Sequence, residues 1–264
     1  MVAYQWVRRS TRPGFGQAPR IVGSPLWPGL NRRHQPVVSV LPQDRGVGYA
    51  VPMSVTLCID TSGAYCSLAL AREGELFIAS EELARQHNEK LLSMLDGLCQ
   101  EAQIAPAEVD LLGYVHGPGS FTGVRLSASV IQAMALVSEA SVVPLDMGEL
   151  WAAQLGLAPE ILLVSCTKSR ADLYYLSGYR GLECLVPYEL CDSVPEWAAG
   201  EPLVLAGEQP PWWQGAPKLH PLPVAPQTLL QLTEQRHQEG GSMAAESALP
   251  LYLATDSPWQ KVGK

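Results

Sequence analysis

Residues 116–127 read HGPGSFTGVRLS and stand directly before the apolar run ASVIQAMALV. Gly117 and Gly119 open backbone angles closed to other residues, Pro118 fixes the turn between them, and Ser120 or Thr122 can cap a helix starting near Gly123. Unpaired N–H groups at such a helix start form a potential anion site. The stretch lacks the Gly-Lys-Ser/Thr of a P-loop and the spacing of Gly-x-Gly-x-x-Gly. Two readings therefore stay open, a tight strand-to-helix turn and an anion cradle.

Asp60 closes an apolar run and is followed by Thr61, Ser62 and Gly63. A carboxylate at a strand end can face a metal ion or a phosphate, and Asp-Thr-Ser-Gly is also an ordinary turn former. Without a second carboxylate or a lysine at a matching position, the turn reading is favoured. On the anion-cradle reading, Asp60, Thr61, Gly117, Gly119, Ser120 and Gly123 would form a vestigial anion or nucleotide loop. No catalytic set accompanies them. His87 and His116 do not make a His-x-x-x-His pair, the six cysteines contain no Cys-x-x-Cys, and Ser120 lacks a Gly-x-Ser-x-Gly context. Metal, cofactor and serine-hydrolase chemistry are not expected.

The elements that hold these residues follow from periodicity. Strands are expected over 55–59, 66–71 and 76–80, the last two joined by REGE, then a helix over 86–102 with Leu91, Leu92, Leu95, Leu98 and Cys99 at helical spacing. A strand over 111–116 leads into the glycine stretch and a helix over 122–138. Three strands, helix, strand, helix is the pattern of a ribonuclease H-like α/β unit. A shorter, less regular second copy starts near 161–179, with a strand at 203–207, a loop over 208–227 and a helix over 228–240. The chain is expected to divide into an extension (1–52), a first lobe (53–155) and a smaller second lobe (156–264).

Charge separates the extension from the body. Residues 1–52 carry seven arginines against Asp44, a net +6, while the remainder holds 11 basic and 25 acidic residues. The first part reads as a disordered or non-native tail with no catalytic role. An acidic body is poorly suited to gripping a nucleic-acid backbone alone, so contact with RNA needs a partner. No membrane span is expected, since the apolar runs are cut by residues such as Gln132, Glu139 and Asp146. Scattered cysteines fit free thiols in a reducing compartment, and a cytoplasmic location is expected.

Three segments in this order, LCIDTSGAYCSLAL (57–70), HNEKLL (87–92) and GPGSFTGVRLSASVIQAMAL (117–136), resemble the TsaB (YeaZ) family, non-catalytic relatives of TsaD needed to make threonylcarbamoyladenosine in tRNA. The resemblance is strong from Ser54 to Trp151, thins through the second lobe and returns at LPLYLATDSPWQK (249–261). It implies an actin-like ATPase (ASKHA) fold of two lobes, the second reduced. It also implies a partner and activator of TsaD, which transfers threonylcarbamoyl to adenosine 37 of tRNAs reading codons that start with A. By the same resemblance, a TsaE-type ATPase is expected to associate with that pair, the chain to self-associate in the absence of TsaD, and tRNA to be met only through the complex.

Both long helices carry more apolar and small residues than one sheet face needs. His87, Leu91, Leu92, Leu95, Arg125, Ala128 and Gln132 are the expected partner interface. In the second lobe VSCTKSRADLYY (164–175) departs from the family's Asp-Ala-Arg segment, so no nucleotide role is carried onto that loop. The rival reading is a small-molecule kinase or ATPase of the same fold using Asp60 and the 117–123 loop.

Overall fold

The computed structural model describes residues 54–83, 86–170, 172–215, 218–219 and 223–253. The extension 1–52 and the closing residues 254–264 lie outside them. The first sheet opens as a meander: β1 (Thr56–Asp60), β2 (Tyr65–Arg72) and β3 (Glu75–Glu82) pair antiparallel in turn. Two crossovers then add parallel strands, through α1 (His87–Ala102) to β4 (Leu111–Gly117) and through α2 (Phe121–Ser138) to β5 (Ser141–Asp146). The resulting order is β3-β2-β1-β4-β5. All five residues of β1 are buried, because helices cover both faces of the sheet.

On one face, Leu57, Ile59, Leu68, Leu70 and Leu112 pack against Leu91, Met94, Leu95 and Leu98 of α1 and Ala128, Ile131 and Met134 of α2. By length and composition alone α2 could cross a membrane. Its Ala128, Ile131, Met134 and Ala135 instead line this core at helical spacing.

The second sheet repeats the first. Here β6 (Leu162–Arg170), β7 (Leu173–Arg180) and β8 (Glu183–Cys191) form the meander, and β9 (Leu203–Gly207) and β10 (Lys218–Leu219) join in parallel, giving β10-β9-β6-β7-β8. Two sheets with one ribonuclease H-like strand order make the actin-like ATPase fold. The second half is reduced in helices rather than strands: a three-residue 3-10 turn, Glu196–Ala198, stands where the first half has the 16-residue α1. The strands β5, β8 and β10 had no counterpart in the sequence reading.

The helices that close the two halves are exchanged. α3 (Met147–Leu155), which follows β5, lies on β6 and β7, while α4 (Pro226–Gln238), which follows β10, lies across β1, β2, β4 and β5. α4 approaches closely because Gly113 leaves room: a Cβ there would overlap Thr233 and come within 2.8 Å of Cys58 Sγ. The Cys58 thiol donates to Thr233 Oγ1 at 3.3 Å, and Thr233 donates to Leu229 O at 2.8 Å.

Candidate functional site

The glycine stretch and the β1–β2 turn are seated against each other. Ser120 N–H donates to Ser62 O at 2.7 Å, and Thr61 Oγ1 donates to Gly123 O at 2.7 Å. Gly117 has φ +135°, and the Gly117–Pro118 bond is cis. A Cβ at Gly119 would stand 2.7 Å from Ser62 O, and one at Gly123 would overlap the Thr61 carbonyl oxygen. Ser120 caps α2, its hydroxyl accepting from Gly123 N–H at 3.3 Å. The glycines thus admit a neighbouring backbone.

Asp60 is 6 % exposed, and its Oδ1 accepts from both the N–H and the hydroxyl of Ser62, at 2.8 and 2.6 Å. Burial raises its pKa, opposed by the Ser62 hydrogen bonds and the nearby His87. That carboxylate is engaged by its own turn. His87 sits at the start of α1 with its Nε2 buried and without a hydrogen-bond partner among the described residues.

A cleft of about 650 Å³ runs between the two halves, lined by this loop pair, by Cys166, Thr167 and Lys168 of β6, by Gly207 and Glu208, and by Pro250, Leu251 and Tyr252. Gly207, at φ +100°, lies under the Trp151 ring, which would meet a Cβ there at 2.6 Å. A magnesium nucleotide, the ligand implied by the fold, needs clustered carboxylates or a lysine at the phosphates. Lys168 and Arg125 supply positive charge on the cleft wall, but among the described residues Glu208 is the only carboxylate lining it, and no group of three His, Cys, Asp or Glu side chains among them could hold a metal ion. The described residues thus offer no carboxylate set for the magnesium ion.

His116, the last residue but one of β4, stands at the cleft wall with its ring edge-on to Tyr114 at 6.3 Å. Its carbonyl accepts from Leu251 N–H at 2.8 Å. Burial lowers its pKa from 6.5, partly offset by Asp146. The unfolded chain therefore takes up the proton first: the stability due to neutral His116 is complete above pH about 6.5 and is lost as the pH falls toward the lowered folded value. Between pH 8 and about 5.5 the melting temperature of wild type should fall more steeply than that of His116→Gln. Parallel pH profiles would contradict this.

The expected partner face divides on inspection. Leu91, Leu95 and Ala128 are 0, 7 and 3 % exposed and belong to the chain's own core, so they are corrected from surface to packing residues. The small side chain of Ala128 lets α2 approach its own sheet. Leu92 is 62 % exposed and faces outward. His87, Arg125 and Gln132 are half-buried. The Arg125 guanidinium stacks 3.3 Å from the Phe121 ring centre and 5.3 Å from that of Tyr252.

Leu136 and Val137, 66 and 69 % exposed, were missed. The signal was present: the buried series 124, 127, 128, 131, 134, 135 leaves positions 136 and 137 on the outer side.

The tRNA threonylcarbamoyladenosine biosynthesis protein TsaB of Escherichia coli (strain K12) is 27 % identical over 228 residues, covering 78 % of this chain and 97 % of that protein. A solved structure of YeaZ from Pseudomonas aeruginosa is 27 % identical with a TM-score of 0.63, covering 76 % of this chain and all of that one. The chain is similar to TsaB (YeaZ) proteins over about three quarters of its length.

Other matches agree with TsaB. The TsaB of Haemophilus influenzae is 37 % identical over 90 residues, 34 % of this chain and 38 % of that protein. A second Pseudomonas aeruginosa structure, described as an uncharacterized protein with similarity to peptidase YEAZ, has a TM-score of 0.66 at 29 % identity, with 76 % and 100 % coverage. The family model for TsaD, tRNA N6-adenosine threonylcarbamoyltransferase, matches residues 78–189, from β3 into β8. The TsaB match to the Escherichia coli protein thus reaches beyond the TsaD-like segment.

Proposed function

We propose that the chain acts in threonylcarbamoyladenosine biosynthesis as a non-catalytic partner and activator of TsaD, serving transfer of threonylcarbamoyl to adenosine 37 of tRNAs that read codons starting with A. The name of the Escherichia coli relative supports the pathway. The observation that carries the partner role is the outer side of α1 and α2. Leu92, Leu136 and Val137 are each more than 60 % exposed on helices whose inner faces already complete a core. Large apolar side chains placed there fit burial by a second protein. TsaE joins the pair, and in the absence of TsaD the same face takes a second copy of the chain.

The cleft adds no catalytic role in this reading. Asp60 is committed to Ser62, and the glycine stretch is filled by backbone. The two lobes, 53–155 and 156–264, then serve as a frame for the helix face, and work on soluble tRNA and protein substrates suits the cytoplasm. Reconstitution with TsaD, TsaE and tRNA, with and without the purified chain, tests the role: modification should rise at least tenfold on its addition. Equal modification without it would sink the proposal. Phosphate release by the chain alone, abolished by Asp60→Ala, would favour the kinase or ATPase reading instead.

A further inference from the structure

The boundary between the two sheets is built around one carboxylate. Asp146 ends β5, in register with Gly117 at the end of the cleft strand β4. Its Oδ1 accepts from the Glu149 N–H at 2.8 Å, capping α3. The same oxygen accepts from the Tyr179 hydroxyl of β7 at 2.7 Å and from the Tyr188 hydroxyl of β8 at 3.3 Å. Tyr188 in turn accepts from the Gly148 N–H at 2.8 Å. Two tyrosines of the second sheet thus converge on the last residue of the first.

Shape reinforces this arrangement. A Cβ on Gly148 would stand 2.5 Å from the Tyr179 ring, 2.7 Å from the Tyr188 hydroxyl and 3.1 Å from Ser165 Cβ, so α3 lies directly on the second sheet. α3 is also tied to α4. Glu149, 6 % exposed, pairs with Arg236, and Gln154 Oε1 accepts from the Ala225 N–H at 2.7 Å. A single apolar cluster runs through the boundary, from Val143 and Leu145 of β5 through Leu150 and Trp151 to Leu163, Tyr179 and Leu229.

We infer that Asp146, with Tyr179 and Tyr188, makes the boundary a fixed hinge, so that the two sheets open as one cooperative unit and the cleft between them keeps one width. Folds of two lobes around a cleft commonly work by hinge closure, which needs a boundary of few and exchangeable contacts. This boundary has a half-buried helix cap shared with two hydroxyls, an ion pair and a continuous core. Movement of the second sheet would strand the Asp146 carboxylate and the Gly148 N–H. The inference holds whichever partner the chain meets.

Hydrogen exchange of the full chain, read by mass spectrometry on peptides from β1, β4, β6 and β7 over a series of low urea concentrations, tests it. In wild type, the slowest amides of both sheets should converge on one shared opening. Tyr179→Phe/Tyr188→Phe keeps both rings but removes the hydroxyls. It should speed exchange in β6 and β7 at least tenfold while β1 and β4 hold their protection. If the double variant does not fold, Tyr179→Phe alone should produce the same separation to a smaller extent. Separate openings in wild type, or sheets that stay coupled in the folded tyrosine variants, would overturn the fixed hinge.

Discussion

Gly123→Ala is expected to lower stability by about 3 kcal/mol, because the added methyl group has nowhere to go. The new Cβ would overlap the Thr61 carbonyl oxygen and stand 2.9 Å from the Thr61 carbonyl carbon. Backbone cannot swing aside as a flexible side chain can. Retreat is also opposed by the Thr61 hydroxyl bond to Gly123 O and by the Ser120 bond to Ser62 O, which would both stretch. For a folded body of this size, the loss corresponds to a fall in melting temperature of roughly 6–12 °C. Gly63→Ala, where no atom lies within 4 Å of the added carbon, is the control and should melt within about 2 °C of wild type. Thermal unfolding of the three proteins decides the matter; a Gly123→Ala protein as stable as the control would mean that the loops are not seated against each other.

The second large effect falls on association. Leu136→Asp/Val137→Asp should weaken capture of TsaD by at least tenfold, and adding Leu92→Glu should weaken it further. All three side chains are more than 60 % exposed, so their replacement should move stability by no more than about 0.5 kcal/mol each. Ala128→Arg is unsuitable for this purpose. Its side chain is 3 % exposed in the core, so a guanidinium there would disrupt the α2–sheet packing and abolish binding by unfolding. Capture on immobilised TsaD, with melting curves taken in parallel, separates the two causes. Unaltered capture by the triple variant would remove the outer helix face from consideration.

Much of the first half could be read from the sequence because its elements alternate in period. Leu57 and Ile59 against Thr56 and Cys58 mark β1, and the spacing Leu91, Leu95, Leu98 marks α1. Two of the strands that escaped notice, β5 and β8, share a physical cause. β5 and β8 are edge strands, each paired along its length with one neighbouring strand, and each contains a proline, Pro144 or Pro187. Edges tolerate proline because one side of the strand has no ladder to donate to. β8 is also largely exposed, so it shows no apolar alternation.

The site was only partly legible for a different reason. Local spacing revealed the 117–123 turn, whereas Asp146, Tyr179 and Tyr188 come from three elements and meet only in the folded chain. Small residues on α2 were ambiguous as well. Ala128 and Ala135 signal close approach without saying to what, and the approach is to the chain's own sheet.

The exchange of α3 and α4 between the sheets has a bearing on how this chain can be divided. A fragment ending at residue 155 would keep α3 without β6 and β7 beneath it, and would lack the helix that covers Cys58, Ala69, Leu111 and Val143. The complementary fragment would carry α4 with no surface of its own to lie on. Each half therefore lends the other its roof. Neither can be excised, transplanted or shuffled as a module by cutting the chain at one point, although each possesses a complete five-stranded sheet.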